Sequence, residues 1–309
     1  MTIGLGALFL SGGAEASATG RWRTAVATAG VALFAVAAAL LVVASPAPEP
    51  AMVGLAFTAA LFSGYSRSVG AIAIRVIIYL VLCVTLLEPA GAYRNTAGMI
   101  FIVGACWNVL IRTLMADPVP SAVNATDVRR PTPQQLWVNW RRGLLTWAGC
   151  QFPLRLAAGL AAACVLRNLW PERHFGWIIL TTALLTERPL ERLPIKIFQR
   201  TIGTAAGVAL AWIILSNERE PWQAATMVAG LATFASLART RSYLFYAILS
   251  TPVILLVLDF GKPVDPTLLI DRMIATFIGA SIVLVGNQLG ASVPASASMS
   301  AGRRGPTTR

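Results

Sequence analysis

Residues 23–44 read RTAVATAGVALFAVAAALLVVA. After the opening Arg23 there is no charged side chain for 21 residues. A helix rises 1.5 Å per residue and a bilayer's hydrocarbon core is about 30 Å thick, so this stretch has the length of a membrane span. Its opening recurs. Residues 200–210 read RTIGTAAGVAL, identical to residues 23–33 at seven of eleven positions, 177 residues apart.

Working outward, the chain has the same texture throughout. It holds 309 residues, 56% hydrophobic and 12% charged, with a mean hydropathy of +0.69. Soluble domains carry about 25% charged residues, so half the usual charge is missing. The apolar residues fall in blocks at 24–44, 51–66, 68–87, 97–115, 144–166, 174–187, 200–216, 222–238, 243–260 and 268–289. No alternating ten-residue strands of a barrel are present. The expected fold is an all-α polytopic membrane protein of about ten transmembrane helices.

Basic residues alternate between two sets of loops. One set holds Arg21, Arg23, Arg67, the 112–142 segment, the 188–200 segment, Arg239, Arg241 and the tail, 17 residues in all. The other holds Arg94, Arg167, Arg173, Arg219 and Lys262. The positive-inside rule puts the first set, and the C-terminus, in the cytoplasm. The net charge of +12 is explained the same way, so no nucleic-acid partner is expected. Cys83, Cys106, Cys150 and Cys164 lie in or beside apolar blocks, and no metal site, disulfide framework or cofactor motif is visible.

The internal echo extends beyond its first eleven residues. AMVGLAF (51–57) resembles ATMVAGLATF (225–234), Arg67-Ser68 aligns with Arg241-Ser242, and MIFIVGA (99–105) resembles MIATFIGA (273–280). Offsets stay between 174 and 177. Arg23 and Arg200 both open a span from the same side, so two repeats of parallel orientation are expected, related by an axis along the membrane normal. The expected organisation is an incomplete first repeat (1–116), a cytoplasmic linker (117–143), a six-helix repeat (144–290) and a disordered cytoplasmic tail (291–309). At the repeat offset LGALFLS (5–11) falls on TTALLTE (181–187), so the first repeat is expected to lack its opening helices, or to continue upstream.

At this point the residues resemble a known family. HFGWIILTTALLTERPLERLPIKIFQRTIGTAAGVAL (174–210) is similar to the signature region of the FUSC family of fusaric acid resistance and aromatic acid exporter proteins. The pattern is an aromatic-rich short helix, a charged stretch, then Arg200, Gly203, Thr204 and Gly207 as R-x-x-G-T-x-x-G. LLIDRMIATFIGASIVLV (268–285), with Arg272 and Gly279, resembles the family's last span. The resemblance implies a transporter of the bacterial plasma (inner) membrane that exports aromatic or other small organic acids. The resemblance implies no cofactor and no enzymatic activity. A proton gradient is the expected energy source, since no nucleotide-binding loop is visible. A passive organic-anion channel and a non-transporting shortened protein or assembly partner are the alternatives. A homo-oligomer or a periplasmic adaptor is a possible partner.

Several residues are candidates for the site. Arg155 follows Pro153 near mid-span, where a charge is costly unless it meets water, a partner or a ligand. Its guanidinium suits a carboxylate, and structural pairing with another helix is the competing role. Arg272, Phe175 and Trp177 are the other substrate-binding candidates, although Arg200 and Arg272 lie near span ends, where snorkelling to the interface is expected. Glu187 and Asp271 are candidates for proton coupling, with Glu187 and Glu191 also readable as a solvated cytoplasmic face. His174, the sole histidine, lies beside Glu172 and Arg173 at an expected outer interface. Arg200, Gly203, Thr204, Gly207 and Gly279 read as a helix-packing motif of small residues.

Overall fold

The computed structural model describes residues 18–88, 90–115, 132–186, 193–216, 221–258 and 266–291. All regular structure among them is helical. The helices are α1 (Ala18–Ala44), α2 (Pro48–Phe62), α3 (Arg67–Leu87), α4 (Arg94–Met115), α5 (Pro133–Leu144), α6 (Trp147–Leu169), α7 (Gly176–Leu185), α8 (Leu193–Leu215), α9 (Pro221–Arg241), α10 (Tyr243–Leu258) and α11 (Pro266–Ala291). Five segments are long and apolar enough to cross a bilayer: Val26–Ala44, Arg67–Leu87, Trp147–Leu169, Pro194–Ile214 and Pro266–Gly290. Shorter apolar helices occur at Pro48–Phe62, Gly176–Leu185, Thr226–Ala235 and Tyr243–Leu256. The chain is a multi-pass helical membrane protein.

Local chemistry fixes several helix starts. Ser66 accepts from Val69 N to cap α3, and Thr146 accepts from Gly149 N to cap α6. Thr132 and Gln135 form a reciprocal capping box ahead of α5, with Pro133 at the first helical position. The second half of the expected linker is therefore helix. Trp140 of α5 stacks on Phe62, with ring centroids 5.2 Å apart, and its Nε1 donates to the Leu61 carbonyl at 3.0 Å. These contacts place α5 against the corner between α2 and α3.

In the first half, α1 packs on α3 and α4, and α3 packs on α2. In the second, α8 packs on α10 and α11, and α10 packs on α9. The halves meet where α6 packs on α2 and α7 on α3. At one end of this seam Arg167 of α6 pairs with Glu88, at the end of α3, and lies 3.9 Å from Glu49 of α2. Asn168 Nδ2 donates to the same Glu49 at 2.8 Å.

Candidate functional site

The site is built in the second half, from α7, α8, α10 and α11. Glycine sets how closely these helices approach. A methyl group added at Gly203 would come within 2.5 Å of Ala247 Cβ on α10, and one at Gly207 within 2.6 Å of the Ile248 carbonyl oxygen. Gly279 of α11 makes the equivalent close approach to Thr181 and the Ile178 carbonyl of α7. Small residues permit such contacts in lipid, where packing rather than hydrophobic segregation holds helices together.

Two apolar clusters bracket what lies between. One joins Leu185 of α7, Ile197 of α8, and Ala280 and Val283 of α11. The other joins Ala211 of α8, Leu255 of α10, and Leu268 and Leu269 of α11. On α8 the two are 14 residues apart, or about 21 Å along the axis. Between these levels α8 carries Arg200 and Thr204, and α11 carries Arg272 and Thr276. All four are buried, with Arg200 at 1% and Arg272 at 0% exposure. The facing helices add buried Thr181, Thr182, Ser250 and Thr251.

The two arginines are the unusual members. Arg272 lies with its guanidinium carbon 4.1 Å from the centroid of the Trp177 ring, a cation–π arrangement. Its three guanidinium nitrogens have no hydrogen-bond partner among the described residues. Nε and Nη2 of Arg200 are in the same condition, as are the hydroxyls of Thr181, Thr182 and Thr204. Ser250 and Thr251 instead donate to the Ala247 carbonyl, and Thr276 to the Arg272 carbonyl.

The described carboxylates are placed elsewhere. Glu49 and Glu88 face Arg167, and Glu172 is exposed. Asp271 adjoins Arg272 in sequence but turns away from it. It accepts from Arg173 Nη1 at 2.8 Å and from the His174 backbone at 3.1 Å, with His174 Nδ1 at 3.4 Å. The hydrogen bond to Asp271, and then its charge, hold Arg173 in its protonated form.

The expectations for single residues divide. Trp177 and Arg272 meet directly, whereas Phe175 turns its ring toward Trp170, at 6.0 Å in an edge-on arrangement. Arg200 and Arg272 do not snorkel to an interface, because α8 and α11 are covered along this face by α10 and α7. Arg155 lies apart from the cluster. Its Nη1 donates to Asn287 Oδ1 at 2.9 Å, on the wall of a groove of about 710 Å³ between α6 and α11. Glu187 and Glu191 lie outside the described residues, as do residues 1–17, 116–131 and 292–309.

Sequence reading treated Thr181 and Thr182 as part of a plain apolar span. The available signal was two adjacent hydroxyls in a short helix seven residues from the arginine motif's charged approach. Lys196 also escaped it: its Nζ donates to the Leu184 carbonyl at 2.7 Å, closing the C-terminal end of α7 with a cation.

The arginines, the paired glycines and the short α7 all fall in or beside one segment. Residues 159–286 match the fusaric acid resistance protein-like family. No curated protein and no solved structure matches the chain. The matched segment runs from the middle of α6 to near the end of α11, so it contains Arg200, Arg272, Trp177 and both apolar clusters. Arg155 falls four residues before it.

Proposed function

We propose that this chain is a secondary transporter of the bacterial inner membrane that exports aromatic or other small organic acids, with Arg272 and Arg200 receiving the carboxylate. One observation carries the reading: two arginines buried between α7, α8 and α11 keep guanidinium donors without a partner among the described residues. A cation at membrane depth costs several kcal/mol unless something compensates it. A carboxylate matches the planar fork of a guanidinium, and stacking on Trp177 leaves the in-plane donors of Arg272 available. The nearby hydroxyls of Thr181, Thr182 and Thr204 offer further hydrogen bonds to an anion. The family match to residues 159–286 supports the transporter class.

A carrier fits better than the passive channel, because apolar clusters close the polar layer from both sides. Ten spans in two parallel repeats fit the packing as well: α1 holds α3 and α4 as α8 holds α10 and α11. The cytoplasmic C-terminus follows from the loop charges. Outward proton-coupled export would use Asp271 and Glu187, the first already seated next to Arg272 in the chain.

Growth of cells on a panel of aromatic acids, with and without the protein, tests this directly. Wild type should confer resistance that Arg272→Gln and Arg200→Gln remove at unchanged expression. Accumulation in everted vesicles should require an imposed pH gradient. Resistance surviving both arginine substitutions would refute the site, and gradient-independent flux would assign a channel.

A further inference from the structure

The groove between α6 and α11 is a second candidate site. Its walls include Trp147, Gln151, Arg155, Gly159, Phe277 and Gly290. It is apolar along most of its length and polar at one end, where Arg155, Gln151 and Asn287 gather. From Phe277 to Gly290 it follows 13 residues of α11, about 20 Å. That exceeds the roughly 15 Å depth of one leaflet's hydrocarbon.

The polar end lies toward the start of α6 and the end of α11. Arg155 reaches toward it: a methyl on Gly286 would lie 3.5 Å from Arg155 Cγ, and one on Gly290 3.7 Å from its Cδ. The aliphatic stem of Arg155 thus lies along this last part of α11, with its Nη1 on Asn287. Immediately before the start of α6, α5 carries Trp137, Trp140, Arg141 and Arg142, the aromatic and basic mixture of an interfacial helix. Trp147 itself is half-exposed at the groove's mouth.

The charge at this end has one sign. Residues 132–170 contain no Asp or Glu, and neither do residues 272–291. Among the described residues lining the groove, an anionic headgroup would meet only a cation and neutral dipoles. A second copy of the chain fits poorly, because a two-fold contact would set one Arg155 against another with no carboxylate between them.

We infer that the α6–α11 groove is a binding site for one anionic phospholipid, its headgroup at Arg155 and Gln151 and an acyl chain along the apolar walls. The site is separate from the arginine layer and does not depend on the transport reading.

Native mass spectrometry of the full chain tests it, using micelles with equal phosphatidylglycerol and phosphatidylcholine of matched chains. The wild type should retain one phosphatidylglycerol at several times the occupancy of phosphatidylcholine. Arg155→Ala should bring that ratio close to one, and Arg155→Lys should keep most of it. Ala158→Trp, at an exposed position on the groove wall, should expel both lipids without changing helix content. Equal retention of the two lipids by the wild type would overturn the assignment. So would an unchanged ratio in Arg155→Ala, or lipid still bound to Ala158→Trp. A lipid-free dimer cross-linked through α6 and α11 would give the groove to a second copy instead.

Discussion

Arg272 rests its guanidinium on the indole of Trp177, 4.1 Å from the ring centroid, and no described acceptor meets its nitrogens. A charge held this way is destabilising to the bundle that buries it. Replacing it with a neutral side chain of similar length should relieve that cost. Arg272→Met is expected to stabilise the purified protein by roughly 1–3 kcal/mol while abolishing transport. Thermal aggregation in detergent measures the first effect and growth on aromatic acids the second. A lowered midpoint would mean that Arg272 has an internal partner after all.

The glycines of α8 give a sharper contrast. Gly207→Leu forces side-chain atoms onto the α10 backbone, at a distance of 2.6 Å for the first carbon alone. Overpacking of this kind costs about 1–3 kcal/mol, and here it pushes two helices apart. Gly230→Ala on α9 meets nothing within 4 Å and should be neutral or stabilising by up to about 1 kcal/mol, because alanine is the better helix former. Comparing the melting midpoints of the two variants with wild type decides the matter.

At the seam between the halves, Arg167 serves two carboxylates from two helices. Arg167→Ala should weaken the protein by about 1–2 kcal/mol, since a partly buried charge-assisted contact is lost. Arg167→Lys should recover only part of this, because an ammonium lacks the planar fork that spans both acids. Limited proteolysis between α6 and α7, next to Arg167, would register the loosened seam as faster cleavage, and equal cleavage in all three proteins would discount the bridge.

The arrangement of the halves predicts a topology. Cysteines placed at Ser45 and Ser216 should be labelled by an impermeant maleimide from the same side of the membrane, and cysteines at Ser66 and Ser242 from the other. Labelling of Ser45 and Ser216 from opposite sides would exclude parallel repeats.

Much of the scaffold was readable because it rests on local physics. Apolar length located the helices, and the small residues Gly203 and Gly207 mark a close helix contact in the sequence itself. The capping pattern Thr132-Pro133-x-Gln135 also announced α5, but the surrounding prolines and charges drew the eye to a linker instead. What escaped sequence reading depends on partners distant in the chain. Structural pairing of Arg155 with another helix was among the readings its position allows, but its acceptor, Asn287, stands 132 residues away and could not be named from the sequence. Arg200 lay close enough to a span end to suggest an exposed charge. Only the packing of α10 and α11 around α8 shows that it has no route to the surface.

The brevity of α7 carries a consequence of its own. Ten residues of helix rise about 15 Å, about half the depth of a bilayer's apolar slab, so α7 is too short to cross one alone. The last carbonyls of so short a helix need partners from the protein itself, and the ammonium of Lys196, reaching across from α8 to the Leu184 carbonyl, is one of them. The end of α7 is thereby tied to the start of α8, so the two helices cannot separate there without exposing a bare carbonyl.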